Sequence, residues 1–225
     1  MIPWVRLDST SVPDAGGELR LMRRGDEFSI MAGAIELMNS RLSGSEEALA
    51  TLAIERLHGR PDPQVLIGGL GLGFTLRATL ARVGPQAKVT VAELVPAVVR
   101  WARGPLAQVF DGCLDDPRVT VAEADVGQLI ASAAGAYDLI LLDVDNGPEG
   151  LIRPANDALY DDRGLAAARA ALRPGGLLAV WSSAPNARFS KALARSALKV
   201  SELVVPAGRK GRGRHVIWLA SRPPG

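Results

Sequence analysis

Val65-Leu-Ile-Gly-Gly-Leu-Gly-Leu-Gly-Phe-Thr-Leu-Arg77 is the stretch whose reading decides the fold. Val65, Leu66 and Ile67 form an unbroken apolar run behind Pro61 and Pro63, the pattern of a strand buried on both faces. Gly68, Gly69, Gly71 and Gly73 come next, and Phe74 to Arg82 has the composition of a helix. A strand that turns through glycines into a helix N-terminus makes a nucleotide-binding corner, because glycine takes the tight turn and lets backbone approach a ligand closely. Glycine-rich turns also serve packing alone. The side chains at the following strand ends decide between the two.

On the N-terminal side, residues 1–17 contain Pro3, Pro13, Gly16 and Gly17 and read as an extended arm. Glu18–Arg23 and Glu27–Met31 flank Arg24-Gly25-Asp26 as a hairpin, and Ala34–Met38 adds a third strand. Ser43-Gly44-Ser45-Glu46-Glu47 carries a hydroxyl N-cap and first-turn acids, so a helix is predicted from about Ser45 to His58. His58, beside Gly59, reads as a capping or solvated residue.

On the C-terminal side, strands at Gln64–Ile67, Lys88–Glu93, Arg118–Glu123, Tyr137–Asp143 and Leu177–Trp181 alternate with helices. The helices cover about Gly73–Arg82, Pro96–Arg103, Val126–Ala133, Tyr160–Leu172 and Ala187–Leu198. Lys199–Val205 and Arg214–Ala220 then follow with no helix between them. The pattern predicts an α/β fold: a Rossmann-like, doubly wound, mostly parallel seven-stranded sheet with an antiparallel last strand, plus a small N-terminal β-rich extension. Residues 1–60 form the extension with its helix, and residues 61–225 the nucleoside-binding catalytic domain.

The 225 residues, 48% hydrophobic and 22% charged, suit a soluble globular protein with a large core. No apolar run reaches the roughly 18–20 residues that span a bilayer, and the N-terminus lacks a signal-peptide layout, so a cytoplasmic setting is expected. Cys113 has no second cysteine to pair with, and with two histidines in the chain no metal site is expected. The net charge of +2 calls for no nucleic-acid partner. Arg209-Lys-Gly-Arg-Gly-Arg-His215, the dense basic run, falls in the terminal hairpin turn and lacks the aromatics that stack bases, so it reads as solvated. Trp101, Trp181 and Trp218 read as core or subunit-interface residues.

Three strand ends carry acids. Glu93 stands about 20 residues beyond the last loop glycine, where a ribose-binding carboxylate sits in such domains, with Leu94 beside it. Asp125, with Val126, follows the third strand and is placed to accept from an adenine amino group. Asp143 ends the fourth, with Asp145 and Asn146 close behind. Each acid alone reads as a helix cap or a solvated loop residue, but three in succession behind a glycine loop favour an adenosine site. NAD fits less well, since little chain remains for a second nucleotide half and a substrate domain.

The sequence resembles the class I S-adenosylmethionine-dependent transferases, and within them spermidine synthase and the polyamine aminopropyltransferases. Ile67-Gly-Gly-Leu-Gly-Leu-Gly-Phe-Thr-Leu-Arg77, Val91-Ala-Glu-Leu-Val-Pro96, Asp116-Pro-Arg-Val119 followed by Asp125, and Tyr137-Asp-Leu-Ile-Leu-Leu-Asp143 are similar to that family's four strand-end segments. Leu172-Arg-Pro-Gly-Gly-Leu-Leu178 is similar to the turn before its fifth strand. The resemblance implies decarboxylated S-adenosylmethionine or S-adenosylmethionine as co-substrate, a small-molecule amine or other nucleophile as acceptor, and a homodimer. Gly69, Gly71, Leu72 and Gly73 would then lie at the nucleoside, Glu93 at the ribose and Asp125 at the adenine. Asp143 would orient or deprotonate the acceptor, with Asp145 and Asn146 lining the same loop and Asn146–Asn156 forming a lid.

The departures fall on the amine side. Leu72 stands about where the family has an amine-holding aspartate. Asp143-Val-Asp-Asn-Gly-Pro148 replaces Asp-Ser-Ser/Thr-Asp-Pro, and Gly44-Ser45-Glu46 occupies the place of Tyr-His-Glu. Three functions remain open: an aminopropyltransferase with an altered polyamine pocket, a methyltransferase on the same scaffold, and a non-catalytic nucleoside-binding protein.

Overall fold

The alternating apolar runs translate into two sheets. The computed structural model describes residues 2–13, 17–57, 59–148, 156–208 and 213–224. The first sheet is antiparallel, with β1 (Val5–Ser11), β2 (Glu18–Arg24), β3 (Glu27–Ala32) and β4 (Ile35–Asn39) in spatial order. Helix α1 (Gly44–Arg56) leads from it into the second sheet. That sheet is built by β5 (Gln64–Gly68), α2 (Phe74–Leu80), β6 (Lys88–Ala92), α3 (Pro96–Arg103), α4 (Ala107–Phe110), β7 (Val119–Ala122), α5 (Val126–Ala131) and β8 (Tyr137–Leu142). It continues through α6 (Asp157–Tyr160), α7 (Asp162–Ala171), β9 (Leu172–Ser182), α8 (Ala187–Arg195), β10 (Lys199–Pro206) and β11 (Arg214–Ser221).

The strand order is β10-β11-β9-β8-β5-β6-β7. β5 runs parallel to both β6 and β8, and β11 lies antiparallel to both β9 and β10. The chain reverses its direction of winding at β5, so the crevice between the carboxyl ends of β5, β6 and β8 is the topological switch point.

Side chains divide strictly across this sheet. Val65, Ile67, Leu139, Leu141, Leu177 and Ala179 join one core, which runs on through α1 to Leu21, Phe28 and Ile30 of the first sheet. Leu66, Ile140, Leu142, Leu178 and Val180 join the opposite core beneath α5, α7 and α8. Each such Leu or Ile contributes about 1.5–3 kcal/mol on burial. Trp101, Trp181 and Trp218 are all buried in these cores.

At the far end of the sheet Asp138, 4% exposed, accepts from Arg60, from the Gln64 amide at 2.8 Å and from Arg173 Nη1 at 2.9 Å. It thereby joins the entry to β5 with β8 and β9.

Three expectations are corrected. Part of the arm is a paired strand, because β1 forms a ladder with β2 and Asp8 accepts from Trp101 Nε1 of α3 at 2.6 Å. The single helix expected over Tyr160–Leu172 is two, broken at Asp161, whose carboxylate caps α7 by accepting from the Gly164 amide at 2.8 Å. Leu172 to Gly176 belongs to β9 rather than to a turn before it, and the register against β8 shifts there between Tyr137 and Leu139. His58, Arg209–Arg212 of the basic run and residues 149–155 of the expected lid lie outside the described residues. No described helix is long and apolar enough to cross a membrane.

Candidate functional site

The glycine corner is held by strand ends on either side. Gly69 donates its amide to Ala92 of β6 at 2.9 Å, and the Asp143 amide reaches back to Gly68 at 3.0 Å. Gly69 has φ +91°, and a Cβ there would stand 2.3 Å from the Asp143 carbonyl oxygen. Only glycine allows this approach, which carries Asp143 to the edge of the loop.

Glu93, just past β6, is 8% exposed and clamps the corner. Its Oε2 accepts from the Leu70 amide at 3.0 Å and its Oε1 from the Val95 amide at 2.8 Å. Burial raises its pKa, and those amides pull it back. Asp125, just past β7, caps α5 by accepting from the Gly127 amide at 2.7 Å. Asp143, just past β8, accepts from Thr75 Oγ1 of α2 at 2.5 Å. Burial, then the charge of Glu46, push its pKa up to about 7, against the Thr75 hydrogen bond.

Gly69, Gly71, Glu93, Leu94, Asp125, Val126, Asp143 and Asp145 line one cleft of about 870 Å³, counting the part open to solvent. Leu19, Ile30, Leu37 and Met38 of the N-terminal sheet form its apolar opposite wall. Asp145 sits in left-handed backbone with φ 54°.

Three sequence candidates stand outside this wall. Leu72 is 3% exposed and packs in the core beneath the loop. Gly73, with φ +77°, starts α2 where a Cβ would meet Phe110 at 2.6 Å. Asn146 uses its carbonyl to accept from the Ser183 amide and the Ser182 hydroxyl, each at 3.3 Å, tying the loop to the end of β9.

Four residues enter that sequence reasoning missed. Thr75 Oγ1 touches both Asp143 and, at 3.5 Å, the Glu46 carbonyl, which sets the head of α1 against the end of β8. Glu46, read in sequence as a first-turn acid, has its pKa raised by burial, opposed by the Ser45 hydroxyl. His215, read as part of a solvated basic run, turns inward to Ser45. Tyr160 buries a hydroxyl with no hydrogen-bond partner; burial and the charges of Asp145, Asp143 and Asp157 all raise its pKa. Glu46 left a trace in the sequence as the acid of Gly44-Ser45-Glu46, and Thr75 as part of the segment ending at Arg77. Among the described residues no group of three or more His, Cys, Asp or Glu side chains is arranged to hold a metal ion.

The wall therefore pairs an apolar sheet face with four carboxylates. Such a cleft suits a flat, partly apolar ring system that carries positive charge at its reacting end.

No protein-family model matches the chain. It is 36% identical over 128 residues to polyamine aminopropyltransferase 1 of Streptomyces coelicolor, an alignment covering 56% of this chain and 23% of that protein. It is 33% identical over 172 residues to the polyamine aminopropyltransferase of Mycobacterium tuberculosis, covering 75% of this chain and 31% of that one. The chain thus spans about a quarter to a third of the length of these curated relatives. The spermidine synthase of Thermotoga maritima superposes with a TM-score of 0.77 at 21% identity, covering 98% of this chain and 74% of that one. A spermidine synthase solved with the transition-state analogue AdoDATO gives 0.76 at 20% identity, with 98% and 73% covered. In sequence and in fold, the chain resembles the spermidine synthases and polyamine aminopropyltransferases.

Proposed function

We propose that this chain is a transferase that moves an aminopropyl group from decarboxylated S-adenosylmethionine to a small amine. One observation carries the reading. Glu93, Asp125, Asp143 and Asp145 face the cleft, and among the described residues no Lys, Arg or His lines it. A decarboxylated donor brings a sulfonium and an ammonium, and an amine acceptor brings further positive charge. An intact methionine tail would bring a carboxylate into a wall that is already negative.

In this reading Gly69 and Gly71 give backbone access beneath the nucleoside, Glu93 takes the ribose hydroxyls and Asp125 faces the base. Asp143, with its pKa near 7, is matched to take a proton from an ammonium at neutral pH. The remaining work is orientation, since the sulfonium is already a good leaving group. A homodimer goes with the reading, and the exposed Val5 and Leu7 of edge strand β1 are the surface we assign to it.

Methyl transfer is the second reading. The apolar glycine loop favours it, because none of Gly69 to Gly73 offers a carboxylate to select the decarboxylated donor's amine. Calorimetry separates the readings. Decarboxylated S-adenosylmethionine is expected to bind at least tenfold more tightly than S-adenosylmethionine, with methylthioadenosine between them, and mass spectrometry should show an aminopropylated amine. Preference for the carboxylated donor would favour methyl transfer. Failure of all three to bind would leave a non-catalytic protein.

A further inference from the structure

Thr75 and Thr79 stand one turn apart on α2, both buried, and use their hydroxyls differently. Thr79 Oγ1 donates to the Thr75 carbonyl at 2.8 Å, the back-bond that a threonine inside a helix makes to the residue four before it. Thr75 is the second residue of α2, so the residue four before it, Gly71, precedes the helix. Its hydroxyl leaves the helix and crosses to the end of β8, where Oγ1 meets Asp143 Oδ2 at 2.5 Å. The Glu46 carbonyl lies farther off, at 3.5 Å. A threonine has one hydroxyl proton and an ionised carboxylate can only accept, so that proton points at Asp143. The length is that of a hydrogen bond to a charged oxygen. Among the described residues Asp143 Oδ1 has no such donor, and Asp143 lines the cleft.

We propose that Thr75 is a positioning residue for the transfer: its hydroxyl holds Oδ2 of Asp143, stabilises the ionised carboxylate and leaves Oδ1 to take the acceptor's proton. This rests on the aminopropyl reading above. The acceptor arrives as an ammonium and gives one N–H proton to Oδ1, freeing the nitrogen lone pair. That pair forms the new C–N bond to the carbon beside the sulfonium. The C–S bond breaks with its electrons returning to sulfur, giving a neutral thioether and a secondary ammonium. The proton on Oδ1 then passes to water in the cleft, and Thr75 keeps its own proton throughout. No oxidant or reductant is needed.

The surroundings of Asp143 give this hydrogen bond its weight. Burial, then the charge of Glu46 on α1, favour the protonated carboxyl, and the Thr75 hydroxyl opposes both. Glu47, also on α1, acts on Glu46 in the same direction. Asp145 lies in the same loop, and Asp157 and Tyr160 stand on α6, where burial keeps the Tyr160 hydroxyl neutral. Glu93 and Asp125 line the same cleft after β6 and β7. Ser182 and Ser183 at the end of β9 hold the loop through Asn146 and bring no charge, and Arg77 of α2 turns away to the Val109 carbonyl. Thr75 is thus the side chain that favours the ionised form of Asp143 against burial and Glu46. With Asp143 at about 7, loss of that one bond tips the balance at neutral pH.

The test is Thr75→Val in the full chain, which keeps the shape and removes the hydroxyl, set beside Thr75→Ser, which keeps the hydroxyl. With a diamine acceptor, the acid limb of the kcat profile should move up by about one to two pH units in Thr75→Val. The rate at pH 7 should fall about 5- to 50-fold as the ionised share of Asp143 drops, and most of it should return at alkaline pH. Methylthioadenosine affinity should be unchanged, and Thr75→Ser should bring the limb back to the wild-type position. Carbon-13 NMR titration of the Asp143 carboxyl reads the same shift with no substrate present. If Thr75→Val does not fold, Thr75→Ala serves for both measurements. A limb and a carboxyl titration that stay in place in the hydroxyl-free variant would overturn the role of Thr75. So would a loss that is equal at every pH and that serine does not restore. A wild-type protein that makes no aminopropylated product would overturn the aminopropyl reading, and with it the part of Thr75 in the transfer, even where the carboxyl titration shifts as expected.

Discussion

Asp143→Asn tests the electrostatic reading of the site with the fewest side effects. Asparagine keeps the shape and an oxygen that can accept from Thr75, but it removes the charge. In the folded chain Asp143 titrates at about 7 rather than 3.8. A pKa raised on folding means that the native state holds its proton more tightly. The stability it brings is full below the unfolded pKa and is lost as pH rises through 7. At 1.36 kcal/mol per unit, the ionised carboxylate costs the fold on the order of 4 kcal/mol above pH 8. Coupling to Glu46 shares that cost, so the variant should gain roughly 2–4 kcal/mol over wild type at pH 8.5 and almost nothing at pH 4. Urea unfolding across pH 4 to 8.5 reads the difference directly. Glu46 and Glu93, both raised, contribute with the same sign, and His215, lowered on folding, loses stability as pH falls. These contributions cancel largely in the difference between the two proteins. A difference that stays flat across pH 5–8.5 would refute the burial of a charge at Asp143. The same variant should make no transfer product while binding methylthioadenosine as wild type does.

Other substitutions probe the frame around it. Gly69→Ala places a methyl against the Asp143 carbonyl at a positive φ and should lower nucleoside affinity more than tenfold by calorimetry, whereas Gly71→Ala, also strained at φ +49°, meets the movable Met38 side chain rather than backbone and should be milder. Glu93→Gln leaves one of the two loop amides without an acceptor; a nucleoside Kd raised about tenfold is expected, and an unchanged Kd would remove the clamp from the site. Asp138→Ala strips two arginines and the Gln64 amide of their shared partner, at about 2–4 kcal/mol in urea unfolding, discounted because both arginines reach solvent. Leu72→Asp should lose at least about 3 kcal/mol by burying a carboxylate, with no gain in preference for the decarboxylated donor.

The parts of the fold that the sequence made legible are those whose signal is local. β5, β6 and β8 are short apolar runs between Pro, Gly and charged residues, and burial on both faces leaves no competing pattern. α3 starts at Pro96 as expected because proline is pre-organised for a first turn. The break at Asp161 was not legible. Its cause is a cap whose partner lies within the run of helix formers it interrupts, and the run masks it.

The candidate site divides along the same line. The half proposed to hold the nucleoside lies at consecutive strand ends of one parallel sheet, and the topology rule places Glu93, Asp125 and Asp143 there without tertiary knowledge. Its other half is assembled from the head of α1, the loop after β8 and the start of β11, and the contact between Ser45 and His215 joins residues 170 apart. No periodicity announces such a contact. Leu72 shows the matching error in a local reading. Sequence gives its place in the glycine loop but not its direction, and the loop turns it into the core. The shortage of acids counted along the loop is therefore real at Leu72. Glu46 lies off the cleft wall, but its charge reaches Asp143 and helps to raise that carboxyl's pKa. In the proposed reading an ammonium beside Asp143 is favoured over a neutral acceptor, because its charge offsets the effect of Glu46 on that carboxylate.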